Sequence, residues 1–216
     1  FFASGMSLIS VLLALWLLPA DRPEARSSKA PSASSVEALD FIRGHRAGWL
    51  LLQYVLHTLA ISAAIYLSPL WLAALLDWGP REIGLLFGLV GLAMIIIQGA
   101  LLDWLTTRFG LLNVLSTGAL IFMVSLLSAP WPQGEYPRAF VVFTAFVGAT
   151  CILPVLNTIA ISIVPADERG RMMGLTALTA SVGRVVGPLL SGWVLKLSGF
   201  ALSWWVMALP VLAVLL

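Results

Sequence analysis

The chain has 216 residues, of which 60% are hydrophobic and only 10% are charged, and its mean hydropathy is +1.01. A soluble domain carries about 25% charged residues, so lipid must surround most of this chain. The formal net charge of +2 is too small for a nucleic-acid-binding surface, and a single cysteine excludes an intrachain disulfide framework. With one cysteine and two histidines, we expect no metal site and no cofactor.

Seven runs that are free or nearly free of charge are long enough to cross a bilayer, since about 20 apolar residues in a helix span roughly 30 Å. They cover residues 1–20, 47–76, 83–102, 109–134, 139–166, 172–195 and 197–216. Arg184 is the one charged residue inside these runs. We therefore predict an all-α integral membrane protein with seven transmembrane helices.

The predicted domains are a leading helix at 1–20, a polar linker at 21–47 and a six-helix block at 48–216. The linker is rich in Ser, Ala, Arg and Glu and has too few apolar residues to fold alone. Both ends of the chain lie in apolar runs, so we interpret it as a fragment of a longer membrane protein. Basic residues outside the spans number eight on the linker side and three on the other, which predicts a cytoplasmic linker.

The six-helix block contains a weak internal repeat. Arg81 and Gly84 open its second helix with the same spacing with which Arg171 and Gly174 open its fifth helix. Paired three-helix repeats are typical of transporter halves. We therefore predict that the block is a half-bundle of two three-helix repeats.

Several segments resemble the major facilitator superfamily. Residues 99–110 are similar to the second copy of its loop signature, although Trp104 and Thr106 replace a basic residue and a glycine. Residues 165–174 and 181–192 resemble its helix 10–11 turn and its helix 11. Residues 84–103 resemble helix 8 of its drug–proton antiporter branch. The resemblance covers essentially the whole chain and implies the C-terminal half of a transporter, from helix 6 to helix 12.

The resemblance implies a secondary active transporter of the plasma (bacterial inner) membrane, and we expect proton-coupled export of small hydrophobic or amphiphilic compounds. An uptake permease for an organic anion or sugar is one alternative, and a seven-helix membrane protein without transport activity is another. The implied partners are the lipid bilayer, an N-terminal half of the same protein, a small-molecule substrate and protons. No catalytic constellation occurs in the sequence, so we do not expect an enzyme.

Residues at two turns on the linker side are candidates for a gate. They are Gly99, Asp103, Arg108, Arg169 and Arg171. An anion at the C-terminal end of a helix is unfavourable, so Asp103 should seek a cation or a helix N-terminus on the same side. Such a cluster can close one side of the membrane in one state and release it in another. The alternative is a carboxylate that is merely solvated.

Polar residues within the spans are candidates for substrate binding or coupling, namely Gln53, His57, Asn157 and Arg184. By helical rise Arg184 lies roughly 20 Å beyond Arg171, at a depth where a charge needs a partner or water. Arg184 serves either packing and gating or contact with a substrate or coupling carboxylate. His57 suits a proton relay, or it is a neutral imidazole hydrogen-bonded between helices. We expect His57 and Arg184 to face a central cavity, while Asn157 either lines that cavity or bonds across helices.

Gly183, Gly187 and Pro188 are assigned to helix packing. The Gly183-x-x-x-Gly187 spacing permits close approach of another helix. Pro188 frees a backbone carbonyl and can kink its helix. We expect none of the three to bind a ligand.

Overall fold

The computed structural model describes residues 41–44 and 47–215, together with residues 11, 12 and 16. The chain divides into two units, residues 1–40 and 41–216. Residues 11, 12 and 16 are helical, and the rest of the predicted leading helix and most of the predicted linker lie outside the described residues. All helices named below belong to the second unit.

Seven α-helices and one π-helical segment build the described part of the second unit. They are α1 (Gly48–Leu76), α2 (Pro80–Ile96), the π-helical segment Ile97–Leu101, α3 (Leu102–Phe109), α4 (Leu111–Ser128), α5 (Glu135–Thr150), α6 (Ile152–Ser162) and α7 (Arg169–Leu215). Where neighbouring pieces continue one another, they form five helices that are long and apolar enough to cross a membrane. These are Gly48–Leu76, Pro80–Phe109, Leu111–Ser128, Glu135–Ser162 and Arg169–Leu215.

The last of these helices holds two crossings. As one straight helix, the 47 residues of α7 would extend about 70 Å, more than twice the hydrocarbon thickness. Gly199 interrupts α7 with φ 76° and ψ −175°, a backbone conformation that is nearly restricted to glycine. Residues 169–198 and 200–215 therefore correspond to the last two predicted spans. The predicted all-α membrane architecture is confirmed for the described residues, in which Gly199 divides the longest of the five apolar helices.

Turn residues explain where the helices begin and end. Pro80 begins α2, where its missing N–H costs no helical hydrogen bond. The carboxylate of Glu82, in the first turn of α2, accepts a hydrogen bond of 3.0 Å from the Gly79 N–H. Gly110 separates α3 from α4 with φ 85°, so a single residue reverses the chain between two spans.

α1 and α7 approach each other closely at two glycines. A Cβ atom on Gly183 would lie 2.5 Å from the Val55 carbonyl oxygen and 2.8 Å from the Leu59 nitrogen. One on Gly187 would lie 3.1 Å from the Ala63 nitrogen. The missing side chains therefore let the two backbones come into contact, which is how helices pack tightly without a hydrophobic effect between them.

Aromatic pairs mark two further helix contacts. Trp71 of α1 meets Trp204 of α7 edge-on, with ring centroids 5.6 Å apart. Phe87 of α2 packs on Phe146 of α5 at 5.4 Å. Together with the contact at Gly183, these pairs place α7 on α1 and α2 on α5. The second helix of each predicted repeat thus packs on the first helix of the other repeat. This arrangement fits the prediction of two three-helix repeats.

We expect Gly183→Ala to lower the free energy of unfolding by about 1–3 kcal/mol, because the added methyl group overlaps the α1 backbone. Gly174→Ala is the matched control, since a Cβ atom at Gly174 of the same helix would meet no atom within 4 Å. Denaturant titration of the full-length protein in mixed micelles measures both changes. Equal stability of the two variants would contradict the close contact.

Candidate functional site

Arg184 is exposed on α7, immediately after the buried Gly183. Successive residues of an α-helix are rotated by about 100°, so the contact that buries Gly183 turns the Arg184 side chain away from α1. Its neighbours Val182 and Val185 are 48% and 63% exposed, so the surrounding surface is apolar. Within residues 41–44 and 47–215, no hydrogen bond or ion pair engages the guanidinium. A cation at this depth requires water, an anion or another protein surface.

His57 lies inside the helix bundle, with only 2% of its surface exposed. Its ring meets Phe122 of α4 edge-on, with centroids 6.2 Å apart. Nδ1 is buried and has no hydrogen-bond partner in the part of the chain that the structure describes. His57 is therefore enclosed, whereas Arg184 is on the surface. Within the described unit the two side chains do not line a common space, and their facing one central cavity stays a prediction.

A hydrogen bond joins α1 to α6 at the predicted site residue Asn157. The Tyr54 hydroxyl, in a side chain that is 2% exposed, donates to the Asn157 amide oxygen. One turn further along α1, the Thr58 hydroxyl donates to the Tyr54 carbonyl at 2.6 Å. Ser62 then donates to the Gly183 carbonyl of α7 at 3.2 Å. The hydroxyl groups of Tyr54, Thr58 and Ser62 thus form hydrogen bonds between helices as well as within α1.

Gln53 lies elsewhere, at the ends of α1, α4, α6 and α7. It is 8% exposed and lines a cleft of about 620 Å³. Ser116 of α4 and Ile159 of α6 line the same cleft. The four predicted substrate or coupling residues therefore do not form one cluster in this unit.

The first predicted gating turn has a longer helix than the sequence indicated. The span was expected to end at residue 102, but α3 continues to Phe109. Asp103 is therefore not at a helix C-terminus, and the proposed conflict with the helix dipole does not arise. Arg108 lies in the last turn of α3, where a cation is favourable. Asp103 is exposed and forms no ion pair with any residue that the structure describes.

The second gating turn contains a contact that the sequence did not suggest. The Arg171 guanidinium lies over the Phe41 ring, 4.6 Å from its centroid, which is a cation–π geometry. Phe41 is 6% exposed, so the end of the linker packs against the start of α7. Arg169, the first residue of α7, is exposed. Gly99 lies in the π-helical segment, and a Cβ atom there would meet nothing within 4 Å.

Two of the three predicted packing residues lie in a close contact between helices. Gly183 and Gly187 both lie in the contact with α1, whereas α7 continues through Pro188 with helical geometry. A second glycine contact was missed. A Cβ atom on Gly118 of α4 would lie 2.8 Å from the carbonyl oxygen of Gly148 in α5. The available signal was that each glycine interrupts an apolar helical pattern, where it costs about 1 kcal/mol relative to alanine.

Long apolar helices, one of which carries the exposed cation Arg184, are features of a polytopic membrane protein. The family model described as Major Facilitator Superfamily matches residues 50–216. The chain belongs to that superfamily, whose members are transporters rather than enzymes.

Two curated relatives and one solved structure show the range of similar proteins. The multidrug export protein EmrB of Haemophilus influenzae is 27% identical over 112 residues, which cover 50% of this chain and 20% of that protein. The cis,cis-muconate transport protein of Acinetobacter baylyi is 28% identical over 137 residues, which cover 62% of this chain and 32% of that protein. The crystal structure of the human organic anion transporter MFSD10 (TETRAN) matches with a TM-score of 0.69 and 21% identity, over 88% of this chain and 43% of that one. The chain thus spans about a fifth to a third of the length of the curated relatives it matches.

We expect Tyr54 and Asn157 to be energetically coupled. A double-mutant cycle of Tyr54→Phe and Asn157→Ala should give a coupling free energy of about 0.5–1.5 kcal/mol in unfolding, because each change removes the same hydrogen bond. Tyr66→Phe, on the same helix, is the control, since the Tyr66 hydroxyl makes no hydrogen bond among the described residues. Additive losses at Tyr54 and Asn157 would refute the contact.

The Asp103 carboxylate has no ion-pair partner in residues 41–44 and 47–215, so we expect it to pair in another state of the protein. Asp103→Asn should then change the ratio of inward- and outward-open states by about fivefold, equivalent to a surface ion pair of about 1 kcal/mol. Labelling of single cysteines placed on each face, in a Cys151→Ala background, measures the ratio. Asp77→Asn is the control, because Asp77 is also exposed and asparagine tolerates its positive φ of 55°. Unchanged labelling of both faces would leave Asp103 a merely solvated carboxylate.

Proposed function

We propose that the chain is the C-terminal half of a secondary active transporter that exports small hydrophobic or amphiphilic compounds in exchange for protons. The observation that carries this proposal is the exposed Arg184 on the apolar surface of a membrane-spanning helix. A charge at that depth costs at least about 2.5–3.5 kcal/mol on insertion scales, so it persists only for a specific use.

The charge-poor runs that the sequence predicts as spans offer Arg184 no carboxylate. Asp77, Glu82, Asp103 and Glu135 lie at helix ends or at the ends of the predicted spans. The counter-charge must then come from an anionic substrate or from a carboxylate of an N-terminal half. A coupling carboxylate that exchanges a proton would release and recapture Arg184 during the cycle, which links proton movement to a change of conformation.

Export of hydrophobic compounds is supported by the relative named as a multidrug export protein and by the apolar surroundings of Arg184. The existence of an N-terminal half is supported by the match to 43% of the solved transporter. A cytoplasmic position for the turns that carry Arg108, Arg169 and Arg171 is supported by the excess of basic residues on the linker side.

Substitutions at Arg184 test the proposal in the full-length protein. Arg184→Gln should lower transport per inserted molecule at least about tenfold, because the buried counter-charge loses its partner. Arg184→Lys should keep partial transport, since the charge survives although the bidentate fork is lost. Dye efflux from vesicles, normalised to the amount of inserted protein, measures both.

Lys196→Gln is the matched control, because it removes one charge at an exposed position further along α7. It should leave transport unchanged. If Arg184→Gln transports as well per molecule as the wild type, Arg184 has no functional role. If both Arg184 variants are inserted in smaller amounts but transport normally per molecule, Arg184 contributes only to the stability of the fold.

Uptake of an organic anion is a second candidate. It is favoured by the relative named as a cis,cis-muconate transport protein and by the same Arg184, which would then bind the substrate carboxylate. Vesicles that accumulate a labelled dicarboxylate, and that fail to expel hydrophobic dyes, would establish this candidate over export.

A further inference from the structure

One backbone carbonyl in the middle of the bundle loses its helical partner because of a proline. In an α-helix the Thr150 carbonyl would accept from the N–H of residue 154, but Pro154 has none. The helix is interrupted at this place: α5 ends at Thr150, α6 begins at Ile152 and Cys151 lies between them. In lipid an unsatisfied backbone group is costly, so another donor is needed.

Gln98 supplies that donor from another helix. Its Nε2 atom donates to the Thr150 carbonyl oxygen at 3.3 Å and to the Thr150 hydroxyl oxygen at 3.0 Å. The side-chain amide thus replaces the N–H that Pro154 lacks. A neutral amide suits this task, since it donates two hydrogen bonds without bringing a charge into the membrane.

Gln98 itself lies at an interruption of its own helix. The π-helical segment Ile97–Leu101 separates α2 from α3, and Leu102 donates its N–H to the Ile97 carbonyl five residues back. π-Helical turns are rare in proteins, and those that do occur are often found at functional sites. Two membrane helices are therefore interrupted at the level where a single side chain joins them.

The two segments beyond these interruptions carry predicted site residues. α3 holds Asp103 and Arg108, and α6 holds Asn157. A cavity of about 280 Å³ lies beside them, lined by Gln98, Asp103, Thr106, Pro154, Thr158 and neighbouring apolar residues. This space leaves room for the two segments to change their angles to α2 and α5.

We propose that Gln98 is a positioning residue that ties the two interruptions together, so that α3 and α6 pivot as one gate segment during transport. This inference rests on the proposed function of the chain. Gln98 does not contact the substrate: it acts through the Thr150 carbonyl, and it transmits movement of the Asp103 turn to the helix that carries Asn157.

The test uses the full-length protein in vesicles. Gln98→Leu removes both hydrogen bonds at similar volume, and it should lower the maximal transport rate about tenfold while KM changes less than twofold. Gln133→Leu, the same change at an exposed loop residue, is the control and should transport as the wild type does. Unchanged maximal rate for Gln98→Leu would overturn the proposal.

A rescue experiment separates positioning from simple satisfaction of a carbonyl. Pro154→Ala returns an N–H to α6, so the Gln98→Leu/Pro154→Ala double variant can satisfy the Thr150 carbonyl within its own helix. We expect the double variant to regain thermal stability but to transport slowly, because the Gln98 hydrogen bonds no longer join the π-helical segment to α5. Full recovery of the transport rate would show that Gln98 only satisfies a carbonyl, and would overturn the proposal.

Thr150 provides milder variants in case Gln98→Leu does not fold. Thr150→Val removes the 3.0 Å bond and keeps the carbonyl, so it should slow transport less than Gln98→Leu does. Thr150→Ser keeps the hydroxyl and should behave as the wild type. Equal rates for Thr150→Val and Thr150→Ser would count against the proposal.

Spin labels at the exposed Thr107 and Ser162 report the gate segment without any substrate. The distance between the labels should be narrowly distributed in the wild type and broadened in Gln98→Leu. A broadened distribution in a protein whose wild type transports nothing would reject the proposed function and keep the tie between the helices. An unchanged distribution would reject the tie itself.

Discussion

The close contact of α1 with α7 determines where Arg184, the one charged residue inside the predicted spans, can point. Gly183 and Gly187 bury against the backbone of α1 because they have no side chains to separate the helices. Helical geometry then fixes the direction of the residue that follows Gly183. Arg184 faces away from α1, and its exposure is a consequence of the glycine contact rather than a separate property.

Lipid imposes a second constraint, since each backbone group that a helix frees must find a donor or acceptor within the protein. At Gly199 the helix is broken between one predicted crossing and the next. Pro154 meets this constraint through a side chain on another helix, because Gln98 donates to the Thr150 carbonyl. The first solution separates two spans, whereas the second joins two helices at the points where the regular α-helix of each is interrupted.

The hydropathy of the sequence was sufficient to predict six spans in residues 48–216 and the break near Gly199, because lipid selects for apolar length directly. It placed the end of the second span too early, since Asp103 was treated as the limit of a helix that continues to Phe109. The partners of Tyr54, Gln98 and Arg171 lie on other elements, and no local pattern indicates them. His57 shows the same limit, because a polar face on α1 does not reveal that Phe122 covers it.

Asp103 and Arg184 both lack an ion-pair partner among the described residues, and their depths give this lack different consequences. Asp103 lies at the end of the predicted span, where water can solvate a carboxylate at little cost, so it can form and break ion pairs readily. Arg184 lies roughly 20 Å from Arg171 along the helix. At that depth water solvates a guanidinium poorly, so an unpaired charge has a high free energy. Asp103 is therefore suited to a contact that forms in only one state of a cycle. Arg184 needs a counter-charge or water in every state of the protein.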